Sequence, residues 1–301
     1  TFYSFQNIER NLGVPFSVED EILDLADDLF GVGVWDQVIL IVNSEKYGGS
    51  GGPVATNSMN EFGPDISIHE IGHSFADLGD EYDTPGVTYP LSSFDVITFE
   101  PNVDTNGANP KWSHWIEEST PLPTPDTSQY DGVVGAFEGA YYAEFGAFRP
   151  VRSCMMRDLG SDFCPVCKEV ILLEFLDRVD FVDGTFPDSK VLSADSETAT
   201  VSIQRLPISG LSAGWRVNDV PVTPDQGSNS VTIAPASFED SSVEVTVSVI
   251  YNDSDLRLDS PEQRITFTIN NTGTTSLDTP RWWLASNGFD TADGSDAIDH
   301  D

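Results

Sequence analysis

Apolar positions follow two different rhythms along the chain. In the first part, SVEDEILDLADDLF (17–30) spaces its apolar residues three and four apart, which predicts a helix, with Ser17 as N-cap and Asp20 as a short-armed capping-box partner. VILIVNS (38–44) is a short unbroken apolar run and predicts a buried strand. The glycines of YGGSGGPVATNS (47–58) predict a loop, or a strand approached closely by another backbone. DISIHEIGHSFADL (65–78) predicts a second helix, with Ile66, Ile71, Phe75 and Leu78 among its apolar positions and Gly79 ending it. Residues 83–135 are rich in Pro, Thr, Asn and Asp and predict a long irregular connection around one aromatic stretch, KWSHWI (111–116). EVILLEFLDRV (169–179) returns to helical spacing.

From about residue 188 the rhythm becomes that of short β-rich runs separated by turn residues. VLSADSETATVSIQRL, GWRVNDVPV, NSVTIAPA, SVEVTVSVIYND and QRITFTINN predict a small antiparallel, immunoglobulin-like sandwich. FVDGTFPDS (181–189) is the expected boundary. The fold class is therefore α+β, organised as a domain over 1–187, an all-β sandwich module over 188–272 and an acidic tail over 273–301. The closely spaced Asp residues of the tail fit either the start of an oxygen-ligand calcium loop or a disordered linker, and the closing Glu of an EF-hand loop is missing.

Composition narrows the functional classes. A 39% hydrophobic content with eighteen Phe and six Trp can bury a sizeable core. Fifty acidic against fourteen basic residues give a formal net charge of -36, which repels phosphate backbones and anionic bilayers and excludes nucleic acid as an expected partner. That charge fits a protein dissolved in a salty medium, and a monomer is expected. No apolar run approaches the roughly 20 residues that span a bilayer, so membrane insertion is not expected. The first residues have no signal-peptide pattern, and the abrupt start fits a missing upstream segment as well as a leaderless protein. Cys154, Cys164 and Cys167 are the cysteines; a single C-x-x-C has no partner pair for a zinc ribbon, and a disulfide from Cys154 to one of the pair is the expected arrangement.

Two of the four histidines stand four apart in HEIGH (69–73). A helix advances about 100° per residue, so His69 and His73 lie about 40° apart around the axis, one turn from each other, and can offer their nitrogens to one ion. Zinc suits neutral imidazole. Glu70, about 100° round from His69, borders such an ion without joining its ligands and is placed to act as general base toward a water that zinc acidifies. Peptide-bond hydrolysis is the reaction these parts serve. Clustering of half the histidines within five residues argues against a merely solvated helix face.

A catalytic zinc site wants a third protein ligand. Metzincin peptidases supply it from H-E-x-x-H-x-x-G-x-x-H, but here Ala76 stands in the Gly slot and Gly79 in that of the third histidine. The turn is therefore expected at Gly79. Asp80, which follows it directly, is the expected third ligand; Glu81 is its close rival, and both could instead serve as hydrogen-bonding neighbours. His114 is a weaker candidate, in the cleft wall.

Six segments in order, VNSEKYGGSGG (42–52), HEIGHSFADLGDEY (69–82), KWSHWI (111–116), VGAFEGAYYAEFGAFRP (134–150), CMMRD (154–158) and FCPVC (163–167), resemble the bacterial IgA-peptidase family of zinc metallopeptidases. The resemblance implies a metzincin-like catalytic domain whose upstream strands lie before Thr1, with a methionine turn beneath the metal in which Met156, preceding Arg157, is the floor residue and Met155 the alternative. It implies that YGGSGG, with Gly48 and Gly49, is an edge strand that receives extended substrate, and that Tyr142 or Tyr141 faces the developing oxyanion. Asp77 stands where the family usually has a small residue, often Gly. The expected protein is a secreted zinc endopeptidase acting on proteins or peptides, with calcium as a second, structural ion in the tail. Two other readings stand beside it: a non-catalytic surface binding protein with a structural zinc, and a metal-dependent amidase of cell-wall peptides.

Overall fold

The computed structural model describes residues 4–5, 12–90, 97, 99–194, 198–224, 229–275 and 277–289. The chain divides into two compact units, Thr1–Phe175 and Leu176–Asp301. Both combine small sheets with few helices, so the protein is a mixed α and β chain. Among the described residues no helix is long and apolar enough to cross a membrane.

In the first unit, β1 (Ser4–Phe5) pairs with β2 (Leu12–Gly13). The helix α1 (Phe16–Phe30) follows, with Pro15 at its N-cap and no side-chain cap bond. Ser17 is thus inside the first turn, contrary to its expected capping role, because the fixed φ of Pro15 already presets helix entry. The strands β3 (Val38–Val42), β4 (Gly49–Ser50) and β5 (Val54–Ser58) form a sheet of order β3-β5-β4, with β3 parallel and β4 antiparallel to the central strand. Every residue of β5 is buried, whereas β3 exposes Ile39 and Ile41. The run at 38–44 is therefore covered on one face only; apolar content does not report how many faces a strand hides.

The helix α2 (Gly63–Ala76) leaves β5 and packs back against β4 and β5. Its end corrects the expectation at Gly79. Asp77 takes the left-handed conformation (φ 48°, ψ 28°), and the N–H groups of Asp77 and Leu78 both close on Gly72 O. Asp tolerates this region because its short polar side chain can bond locally. Gly79 is needed for a different reason: a Cβ there would meet Val103 Cγ2 at 2.9 Å and Glu100 at 3.0 Å.

The chain then runs irregularly through two short 3-10 turns, Ser113–Trp115 and Ser128–Tyr130. It returns as a hairpin of β6 (Phe137–Ala140) and β7 (Ala143–Arg149), and ends in α3 (Pro165–Arg178), which crosses the division between the units. The apolar core under the end of α2 gathers Phe75, Leu78, Trp112, Trp115 and Met156. Burial of side chains such as Phe75, Leu78 and Met156 stabilises by about 1.5–3 kcal/mol each, which anchors the helix end from which the site is built.

In the second unit, β8 (Val182–Phe186), β10 (Ala199–Arg205) and β13 (Ser230–Ile233) form a sheet of order β13-β10-β8. A five-stranded sheet joins β12 (Val220–Val222), β11 (Leu211–Val217), β14 (Ser242–Tyr251), β15 (Glu262–Asn271) and β9 (Val191–Ala194). Alternate residues of β14 are buried, with Val243, Val245, Val247 and Val249 fully covered. The pairing is not wholly antiparallel: β9 runs parallel to β15. The expected boundary segment FVDGTFPDS contains β8, so its central residues are strand rather than connection. In the tail, α4 (Arg281–Ser286) buries Leu284; the acidic residues that suggested calcium, from Asp290 onward, lie outside the described residues.

Candidate active site

The helix α2 stacks His69 and His73 one turn apart, with ring centroids 4.8 Å from each other and Nε2 atoms 3.1 Å apart. Asp80 reaches the same point, placing Oδ1 3.0 Å from His69 Nε2 and 3.2 Å from His73 Nε2. The left-handed Asp77 ends the helix three residues before Asp80. The other ring nitrogens are spoken for: His69 Nδ1 donates to Met155 O at 3.0 Å, and His73 Nδ1 donates to Leu78 O. A carbonyl can only accept, so both protons sit on Nδ1 and the neutral rings turn their Nε2 lone pairs toward one another and toward a carboxylate oxygen.

Three acceptors at 3.0–3.2 Å repel unless a cation lies among them. Three corners of a tetrahedron around zinc at 2.0–2.1 Å would be about 3.3–3.4 Å apart, close to the spacing found. The donor set therefore fits such an ion. Without it, the positive charge comes from a proton: burial works to lower the His73 pKa, but the bond to Asp80, the negative charges of Asp80 and Glu70 and the bond to Leu78 O together lift it to about 9. Burial likewise works upward on Asp80, yet its bonds to His69 and His73 hold its carboxyl well below the usual range.

Glu70 follows His69 on the helix and is buried; its carboxylate lies within 4.8 Å of the imidazole donor atoms. Burial raises its pKa, and the two imidazoles pull in the opposite direction. Glycines let β4 and the following loop press on this face of α2. A Cβ on Gly49 would stand 2.4 Å from Ile66 Cγ2 and 2.7 Å from Glu70 Oε1, and one on Gly51 would stand 2.4 Å from His73 Cβ. Gly48 accepts a bond from Ser58 N at 3.1 Å, which holds the start of β4 to its neighbour.

The second oxygen of Asp80 carries two phenols. Tyr82 donates to Oδ2 at 3.1 Å, and Tyr142 donates to the same atom. Burial and then the charge of Asp80 push both phenol pKa values far up, so both remain protonated donors. Tyr142 arrives by an uncommon backbone route. It and Tyr141 form the two-residue link between β6 and β7, with φ of 63° and 51°. Asn and Gly are the residues that ordinarily occupy such a turn; two tyrosines there are held by their surroundings, Tyr141 N bonding Asp80 O and Tyr142 N bonding Tyr82 O.

Met156 is fully buried beneath α2, its Sδ only 2.7 Å from where a Cβ on Gly72 would stand. Met155 contributes through its carbonyl to His69. Glu81 turns away from the histidines: its backbone N–H bonds Met156 O at 2.8 Å, and its side chain enters a separate buried group with the cysteines. All three cysteines are free, so the expected disulfide is not formed. His114 is elsewhere occupied, with Nε2 2.6 Å from Glu169 Oε2, an atom that also accepts from Trp115 Nε1. The sequence reading passed over Tyr82 and the carbonyls of Leu78 and Met155. Tyr82 lay inside the segment already singled out, but carbonyls have no signature in a residue pattern.

His73, Asp80, Glu100, Tyr141 and Tyr142 line an open cleft of about 360 Å³, with Phe99 at its rim. Two of the three donor residues, His73 and Asp80, thus border an open space. A comparison with curated proteins found no match. The family described as IgA Peptidase M64 matches residues 3–130 and 126–175. The match covers more than half of the 301 residues and ends where the first compact unit ends. On that ground the chain belongs to the IgA Peptidase M64 family and is a peptidase, a hydrolase of protein or peptide substrates.

Proposed function

We propose that this chain is a secreted zinc-dependent endopeptidase in which His69, His73 and Asp80 hold the metal and Glu70 is the general base. The observation that carries the reading is the convergence of two Nε2 atoms and one carboxylate oxygen within 3.2 Å beside an open cleft. Zinc in that place supplies Lewis acidity toward the scissile carbonyl and toward water. Carbonyl bonds from Met155 and Leu78 fix each imidazole in the tautomer that leaves Nε2 free. Tyr82 and Tyr142 hold the outer oxygen of Asp80 and so aim the inner one.

Glu70 takes the proton of the attacking water on its carboxylate and passes it to the leaving amine. A raised pKa suits both halves of that task, because the proton is then neither refused nor lost to solvent. Substrate lies extended along β4, where Gly48 and Gly49 offer backbone rather than side chain, and Tyr142 walls the far side of the cleft. Met156 serves as the apolar floor. This arrangement is metzincin-like, and the second unit, with alternate burial along its strands, is read as an immunoglobulin-like sandwich that acts as a spacer. A net charge of -36 supports an extracellular, salty setting.

The test is metal analysis together with a casein-type assay on the wild type and Glu70→Gln. The variant should keep the ion and lose about 10²–10⁴-fold in kcat, the usual contribution of a general base. Equal turnover by the two proteins would remove Glu70 from the mechanism.

A further inference from the structure

A second cluster of potential ligands lies beneath the site. Glu81, Cys154, Cys164 and Cys167 place their donor atoms within 4.8 Å of one another. Glu81, Cys154 and Cys167 are completely buried, and Cys164 is 4% exposed. Glu81 Oε1 accepts from Asn102 Nδ2 at 2.9 Å and meets Cys167 Sγ at 3.3 Å, while Oε2 is buried without any hydrogen-bond partner. A buried carboxylate with one orphaned oxygen, packed beside three sulfurs in a dry interior, is expensive unless a cation joins them.

We propose that these four residues form a second, structural metal centre for one thiophilic divalent cation, zinc in the first instance. The spacing fits. Zinc–sulfur bonds of about 2.3 Å at tetrahedral angles put two sulfurs about 3.8 Å apart, and Cys154 Sγ lies 3.7 Å from Cys167 Sγ. A sulfur and a carboxylate oxygen on the same ion would be about 3.6 Å apart, against 3.3 Å for Cys167 and Glu81. Backbone N–H groups already point at the sulfurs, from Cys164 to Cys154 Sγ at 3.3 Å and from Cys167 to Cys164 Sγ at 3.5 Å. Bonds from Cys164 and Cys167 favour thiolate at Cys154, whereas burial pushes the Cys164 and Cys167 thiols up, a cost that a bound cation would offset.

Four protein ligands close the shell, which marks a structural rather than a catalytic ion. On binding, the thiol protons pass to solvent. The ion would tie together the chain after Asp80, the turn that carries Met155 and Met156, and the start of α3. A disulfide is the competing use of these sulfurs, but it needs a separation of about 2.05 Å and would leave Glu81 and one thiol still facing each other.

The experiment uses the full chain, prepared reduced and without air, then loaded with cobalt(II) in place of zinc. The wild type should take up about two ions per chain, one per centre, and show the near-ultraviolet sulfur-to-cobalt charge-transfer band that a histidine and carboxylate site cannot give. The double variant His69→Ala/His73→Ala should lose one ion and keep the band; Cys164→Ser should lose the band. Should Cys164→Ser fail to fold, the double variant and a thiol titration of the aerobic wild type in denaturant, without reductant, carry the test, with three reactive thiols expected. Absence of the band in the wild type overturns the proposal, as does a titration that finds one thiol because two are joined. A wild type that takes up a single ion per chain, with the band intact, would count against the proposed catalytic centre and for this one.

Discussion

Gly49→Ala perturbs the contact between β4 and the face of α2 that carries Glu70. The new Cβ would stand 2.4 Å from Ile66 Cγ2, 2.7 Å from Glu70 Oε1 and 3.0 Å from Thr56 O. Non-bonded carbons settle at about 3.5–4.0 Å, so strand and helix must part by about 1.1–1.6 Å along that line. Thr56 O is backbone and Ile66 is 3% exposed, so neither can simply swing away. Overpacking of this kind costs about 1–3 kcal/mol. For a unit of this size each kcal/mol lowers Tm by about 2–4 °C, giving an expected drop of about 2–12 °C. A displacement of about 1 Å in the proposed base should also reduce kcat/KM by about 100-fold. Thermal melting and peptide cleavage measure the two effects. Gly214→Ala is the control, since a Cβ there meets nothing within 4 Å and its backbone is not left-handed; its stability should change by no more than about 0.5 kcal/mol. If Gly49→Ala melts and cleaves like the wild type, β4 does not press on α2 as described.

Tyr142→Phe removes one of two phenols from Asp80 Oδ2 and should weaken metal binding or activity by about 10–100-fold, the usual cost of losing a group that orients a ligand. Unchanged metal affinity with a lowered kcat would instead assign Tyr142 to the substrate alone. His73, lifted from 6.5 to about 9 when no metal is bound, is protonated at neutral pH and must shed that proton before Nε2 can bind an ion. Metal binding at pH 7 should therefore release about one proton from His73, with affinity rising about tenfold per pH unit until about pH 9. Calorimetry in buffers of different ionisation heat reads this directly, and a buffer-independent heat at pH 7 would contradict it. For the metal-free chain the sign is the reverse: the raised value contributes stability below about 6.5 and loses it as pH climbs through about 9.

Local geometry was legible in the residues, and long-range geometry was not. Stacking of His69 on His73 follows from helical rise alone, so HEIGH announces it. The choice between Asp80 and Glu81 could not be read in the same way, because neighbours on an extended segment point to opposite sides and the deciding event is the turn before them. That turn falls at Asp77 rather than Gly79; glycine advertises backbone freedom, but at Gly79 it serves close packing against Val103 and Glu100 instead. The cysteines suggested a disulfide because cysteine spacing says nothing about a carboxylate 73 residues upstream of Cys154. In the second unit, alternation located the strands, whereas the parallel pairing of β9 with β15 depends on how the chain crosses over and leaves no trace in either run.

The tyrosine pair at 141 and 142 sets a limit on making this protein sturdier. Anyone seeking heat tolerance by reading backbone angles would be drawn to replace it with Asn-Gly, which relaxes in those conformations at little cost. The resulting hairpin would be more comfortable, and Asp80 would lose one of the two hydroxyls that aim it. Endurance and turnover therefore compete at this one bend.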